Sequence, residues 1–208
     1  MTQQSSALMI LLLAFLIVLS AGIAGCTSQA PSAGQAPATS PAADKTPSAT
    51  DLSAMVLQPS EIPGNFTLVD ARERTAFELS AWALDHGWKK GYSVTYRKND
   101  RNSGTIIRQN ISVYSGENAT LAVSDTIDGQ VDSIARGNDT SLSVEKITIT
   151  PIGDASGALK YSDKSDNSGM YVIAFAKTGV FEDIETNGTA ADYETARQLA
   201  TIAATKIR

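Results

Sequence analysis

GYSVTYRKNDRNSGTIIRQNISV, residues 91–113, decides the fold class. Tyr92, Val94 and Tyr96 recur at a period of two and share one face of a strand. Ile107, Gln109, Ile111 and Val113 do the same on a second strand. Between them, Asn99-Asp100-Arg101-Asn102-Ser103-Gly104 is turn chemistry, so the two strands form a hairpin. A connection this short joins antiparallel neighbours, whereas parallel ones need a long crossover.

Working outward, Leu52, Met55, Val56 and Leu57 predict one short helix, followed by a turn at Pro59–Gly64 and a strand over Phe66–Ala71. Phe77–His86 is dense in helix formers, with Gly87 where a left-handed cap belongs. After the hairpin, Ser115 is an N-cap for a helix through about Ile134, with Leu121, Val123, Ile127, Val131 and Ile134 at helical spacing and Gly137-Asn138 as its end. Alternation resumes at Val144–Thr150. Ala158–Tyr161, Met170–Lys177 and Val180–Glu185 then read as consecutive antiparallel strands, turning at Asp163–Gly169 and Thr178-Gly179. A last helix over Ala191–Lys206 presents Tyr193, Ala196, Leu199, Ala200, Ala203 and Ile207 on one face. Runs of strands broken by isolated helices predict an α+β domain over 51–208. Its mostly antiparallel sheet would have about six or seven strands, flanked by about two or three helices.

The balance of 17 basic to 22 acidic residues excludes a dedicated nucleic-acid binder, which needs clustered cations to displace counterions from phosphate. One cysteine, Cys26, and one histidine, His86, exclude an internal disulfide and a Cys/His zinc site. No Gly-rich phosphate loop, Gly-x-Ser-x-Gly elbow or Ser-x-x-Lys motif is present, so no cofactor and no catalytic residue is assigned.

Ala7–Leu19 is an uncharged apolar run of the length of a secretory signal's hydrophobic region, and it leads to Ile23-Ala24-Gly25-Cys26. This resembles the lipobox of prokaryotic lipoproteins. The resemblance implies a signal peptide over 1–25 and a lipid on the Cys26 thiol, so that the partner is a membrane. The basic residues usual ahead of such a run are missing, and the first in the chain is Lys45. The alternative is an uncleaved anchor over Ala7–Ala24, about 27 Å long as a helix. Either places the rest of the chain outside the cytoplasm, on the outer face of the membrane or the cell surface. Residues 26–50, rich in Ala, Pro, Ser and Thr, read as a disordered linker able to reach roughly 70 Å.

Leu57-x-x-x-Glu61-Ile62-Pro63-Gly64-Asn65-Phe66, the central Pro151-Ile152-Gly153-Asp154, the Tyr171-Val172-Ile173-Ala174-Phe175 strand and the Ala-rich last helix resemble small prokaryotic surface lipoproteins, archaeal ones first, with a PsbP-like extracytoplasmic domain. The resemblance implies an antiparallel sheet flanked by helices and an external location. It implies no activity.

Each candidate for chemistry has a plainer structural reading. His86 suits the end of a helix, where a cationic ring favours the dipole. Asp163, Asp166 and Asn167, and likewise Asp100, Asn102 and Gly104, lack the distal Glu of a calcium loop and read as turns, so no metal is assigned. Glu182, Asp183 and Glu185, with Asp192 and Glu194, read as a solvated acidic face. Trp82, Trp88, Tyr92 and Tyr96 could line a cleft but read as core. Five of the eight asparagines are Asn-x-Ser/Thr acceptors, more than chance supplies, so N-glycosylation is expected among Asn65, Asn110, Asn118, Asn138 and Asn187. The expected function is a non-catalytic binding or accessory module of the cell envelope, for an unknown envelope protein or small ligand. The alternative is a surface hydrolase using a carboxylate pair or an activated Ser.

Overall fold

The structure is a computed structural model describing residues 49–100, 103–137, 141–163, 168–188 and 191–208. The expected signal peptide, Cys26, the linker up to residue 48, Asn138, and parts of the turns at 99–104 and 163–169 lie outside the described residues.

The hairpin forms as its alternation predicts. β1 (Thr67–Arg74), β2 (Trp88–Asp100) and β3 (Ser103–Tyr114) make an antiparallel meander, with Tyr92, Val94 and Tyr96 opposite Ile111, Gln109 and Ile107. α3 (Asn118–Arg136) then carries the chain to the far edge of the sheet. There a second meander starts: β4 (Leu142–Ile147), β5 (Ala155–Asp163), β6 (Gly169–Lys177) and β7 (Val180–Gly188). It returns until β7 pairs with β3, giving the order β1-β2-β3-β7-β6-β5-β4, antiparallel throughout. Thr178 and Gly179 turn β6 into β7 with φ of 49° and 80°, the left-handed pair that suits a two-residue hairpin. With α1 (Ala49–Met55), α2 (Ala81–Asp85) and α4 (Tyr193–Lys206), the domain is α+β, with seven strands and four α-helices among the described residues.

Alternation along the strands gives the sheet two apolar faces. α1 and α4 cover one through Leu52, Val56, Leu199, Ala203 and Ile207, packed on Ile111, Ile173, Phe175 and Ile184. α2 and α3 cover the other through Ala83, Ala122, Val123 and Ile127, packed on Leu159, Val172, Ala174 and Phe181. α3 sits so close to β5 that a Cβ on Gly157 would lie 2.7 Å from the Ile127 side chain.

Two helices differ from expectation. The Ser80 hydroxyl accepts the Ala83 N–H and starts α2 there, so 76–78 is a separate 3₁₀ turn with Phe77 fully exposed. Ser115 does not cap α3; its hydroxyl donates to the Gly87 carbonyl, and the helix begins at Asn118. Leu121, expected on the apolar face of α3, is 49 % exposed, because the small Ala119 and Ala122 take the contact with the sheet.

The α1/α4 face also buries polar groups. The Leu57 N–H donates to Gln109 Oε1 (2.7 Å), and the Tyr96 hydroxyl donates to the Leu57 carbonyl. Gln109 Nε2 donates to Glu182 Oε2 (2.8 Å), while Glu182 Oε1 has no partner among the described residues. Burial pushes the Glu182 carboxyl up to about 8; the Gln109 bond and Lys206 oppose the rise and the charge of Asp183 adds to it. At the end of α4, Lys206 Nζ donates to the Val56 carbonyl (2.8 Å) and to Glu61 (2.5 Å).

Two predictions follow from this packing. Leu199→Ala empties a fully buried site between α4 and the sheet and should cost about 2–5 kcal/mol in urea unfolding. Between about pH 4.5 and about pH 8 the folded chain holds a proton on Glu182 that the unfolded chain has lost. Stability from this group is therefore complete at the acid end, falls through that window and is flat above it. Glu182→Gln removes the dependence. Its stability minus that of the wild type should rise with pH across the window, by at most about 1.4 kcal/mol per unit, then level off. A difference independent of pH would contradict a protonated, buried Glu182.

Candidate functional site

Where β1 ends, the chain turns beneath the start of α3 and leaves a cleft of about 140 Å³ on the α2/α3 face. Its lining comes from β1 (Arg74), the 3₁₀ turn (Glu78), α2 (Trp82, Ala83), β3 (Tyr114), α3 (Asp125, Thr126) and β7 (Phe181, Asp183). The floor is aromatic. Tyr114 meets Phe181 edge to face, with ring centroids 6.3 Å apart, and Trp82 approaches it at 60°. One face of Trp82 is already covered by the His86 ring, stacked at 4.1 Å.

Tyr114 lines this wall and is only 7 % exposed. Burial pushes its hydroxyl up to about 12; Arg74 acts against the rise and Asp125 and Asp183 add to it.

The charged groups are held in place by the sheet. Ser93 on β2, Asn110 on β3 and Asp183 on β7 stand in one cross-strand row. The Ser93 hydroxyl donates to Asn110 Oδ1 and Asn110 Nδ2 donates to Asp183 Oδ1, both at 2.8 Å. Arg74 Nη1 donates to the Ser112 hydroxyl (3.2 Å), which also accepts the Trp88 indole N–H (3.1 Å). The half-buried Asp183 carboxyl is raised well above the usual range by burial and then by Glu185, against Asn110, Arg74 and Arg108. Asp125 is raised by burial, with His86 opposing. Glu78 is paired with Arg72 at 2.5 Å. The cleft therefore offers one guanidinium, two carboxyls that hold protons longer than usual and a phenol.

The residues singled out in the sequence are only partly brought together. His86 does end α2, with its backbone N–H on the Trp82 carbonyl and Nδ1 donating to the same oxygen at 2.8 Å. Trp82 and Trp88 flank the cleft side of the sheet, while Tyr92 and Tyr96 point into the opposite core, so the four do not share a cleft. The acidic run is not a solvated face. Strand alternation buries Glu182 under α4, turns Asp183 into the cleft and pairs Glu185 with Arg108 at 2.9 Å. Asp192 caps α4 through the Thr195 N–H, and Glu194 pairs with Arg197.

Among the acceptor asparagines, Asn65 and Asn187 are exposed. Asn118 Nδ2 donates to the His86 carbonyl (2.8 Å), and the Asn110 amide is engaged in the cross-strand row. Among the described residues no group of three or more His, Cys, Asp or Glu is placed to hold a metal ion, and no helix is long and apolar enough to cross a membrane. Arg74, Tyr114 and Asp125 went unnoticed in the sequence. The available signal was parity: Tyr114 falls on the same face as Asn110 and Ser112, where its neighbours on β3 are polar.

No protein-family model matches the chain, and no curated protein sequence does. Among solved structures, the domain is similar to the extracellular domain of PknH from Mycobacterium tuberculosis. The TM-score is 0.60 at 12 % identity, and the match covers 76 % of this chain and 94 % of that one. At that identity the likeness is one of fold. The expected α+β class, a mostly antiparallel sheet flanked by helices, stands, while the likeness found does not support the PsbP-like resemblance.

Proposed function

We propose that this chain is a lipid-anchored extracytoplasmic binding module whose α2–α3 cleft receives a small ligand. The observation that carries the reading is the cleft itself, where Arg74, Asp125 and Asp183 line a pocket with the aromatic floor of Trp82, Tyr114 and Phe181. The fold likeness supports the location, since that neighbour is described as an extracellular domain. The anchor rests on Ile23-Ala24-Gly25-Cys26 after an apolar run, with Cys26 the chain's one cysteine. Residues 27–48 would space the domain from the membrane, and the exposed Asn65 and Asn187 are the acceptors best placed for a glycan.

The carboxylate pair of the hydrolase alternative has a concrete candidate in Asp125 and Asp183, which line the same cleft. Against it, Asp183 is tied to Asn110 and sits beside Arg74, so neither a free nucleophile nor a free base results.

The cleft reading is tested by amide and indole NMR with a panel of small cationic, neutral and anionic fragments. Saturable shifts at Trp82, Tyr114 and Asp183 are expected, and a panel that moves none of them refutes it. The anchor is tested separately with native protein. Its intact mass should correspond to a chain beginning at Cys26 with lipid attached, plus glycan if Asn65 or Asn187 is used. Cys26→Ser should shift the protein out of the detergent phase or leave an unprocessed precursor. Two lipid chains give stable anchoring where one is marginal, at about 0.8 kcal/mol per buried methylene. A native chain still starting near Met1 and unmodified at Cys26 rules out the lipoprotein reading.

A further inference from the structure

We propose that a second pocket, between the sheet and the start of α4, binds the carboxylate of a small organic acid through the Thr105 and Thr186 hydroxyls. It measures about 170 Å³ and shares no lining residue with the α2–α3 cleft.

Thr105 and Thr186 both line this pocket, at 4 % and 1 % exposure, and neither hydroxyl has a hydrogen-bond partner among the described residues. A buried hydroxyl left in that state costs free energy, and folded proteins keep few of them. Here two stand in one wall. Thr186 on β7 lies opposite Ile107, and Thr105 lies two residues before Ile107 on the same face of β3. The two threonines are therefore diagonal neighbours across the β3–β7 seam, with Cβ atoms under about 8 Å apart, close enough for one two-oxygen group to accept from both. A single χ1 step exchanges hydroxyl and methyl at the pocket wall, so either hydroxyl can turn to a ligand.

The charge around these hydroxyls selects the ligand. Lys98 lines the pocket and lies along the turn at Gly64, its Nζ 3.9 Å from where a Cβ there would stand. The N-terminus of α4 adds the positive end of its dipole. Asp192 is the one acid among the lining residues. It is exposed, and its two oxygens already accept the Thr195 N–H (2.8 Å) and the Thr195 hydroxyl (2.7 Å), so it caps the helix. An ammonium would face Lys98 and the helix N-terminus with that committed carboxylate as its one anionic partner. A neutral amide would meet the hydroxyls but gain nothing from the charge of Lys98. Phe66 and Ile107 supply an apolar wall for a short alkyl chain. The volume is below that of drug-sized sites, which run from roughly 300 Å³.

The test titrates the full-length chain in detergent with three probes of one shape, propionate, propionamide and propylammonium, followed by amide and indole NMR. Propionate should bind saturably and shift Thr105, Thr186 and Thr195, leaving the Trp82 indole in the other cleft unmoved. Propionamide should bind more weakly and propylammonium not at all. Thr105→Val and Thr186→Val keep the side-chain shape and remove a hydroxyl that bonds to no protein group, so both should keep the wild-type urea midpoint. Each should weaken propionate by about tenfold or more, the worth of a hydrogen bond to a charged group. Equal binding of propionamide, a preference for propylammonium, or propionate affinity unchanged in both valine variants overturns the carboxylate assignment. Shifts confined to Trp82 and Tyr114 overturn this site and speak for the α2–α3 cleft instead. Silence towards all three probes means that the pocket holds ordered water only, and overturns the site while leaving the α2–α3 cleft to its own fragment panel.

Discussion

The pairing of β3 with β7 is the constraint on which the rest of the domain depends. Each meander zips up from local turns, but among the described strands the two meet only at this seam, from Ile106 opposite Asn187 to Val113 opposite Val180. Its partners are far apart in the chain, so the loop-closure entropy falls on this contact. Side chains reinforce it on both faces of the sheet. Arg108–Glu185 and Asn110–Asp183 cross it directly, and Gln109 reaches Glu182 on the diagonal.

These cross-links explain how a central strand carries three carboxylates. Burying an acid costs several kcal/mol unless its hydrogen bonds are met or it takes up a proton. β7 uses three remedies in succession: Glu185 has a guanidinium, Asp183 has an amide and nearby Arg74, and Glu182 has an amide together with its proton. The same residues organise both sides. On one face the Glu182–Gln109 bond extends to the Leu57 peptide and holds the chain leaving α1. On the other, Asp183 becomes a wall of the cleft.

Much of this was legible in the sequence wherever one period governed a segment. The period-two faces of β2 and β3, the left-handed Gly87 after α2, the Thr178-Gly179 turn and the Leu199/Ala203/Ile207 face of α4 all follow from local chemistry. What failed had a competing local signal or a non-local cause. Ser80 capped α2 late and shortened it; the alanines of α3 displaced Leu121 from the sheet. Glu182, Asp183 and Glu185 looked like a surface run because charge outweighed alternation, although a strand between two neighbours must send adjacent residues to opposite faces. The cleft was the least legible part. Arg74, Tyr114, Asp125 and Asp183 belong to four elements and become neighbours only when β7 joins β3.

Lys206, near the end of the last helix, grips the Val56 carbonyl and Glu61 just after the first helix, so the chain enters and leaves the domain at neighbouring points. A unit closed in this way is portable. It can be grafted into a surface loop of a host chain across a short gap, or have its ends joined and be reopened elsewhere, with the β3–β7 seam undisturbed. The clasp thus makes the two ends of the domain one local structure, so that a cut or a join there acts on both at once.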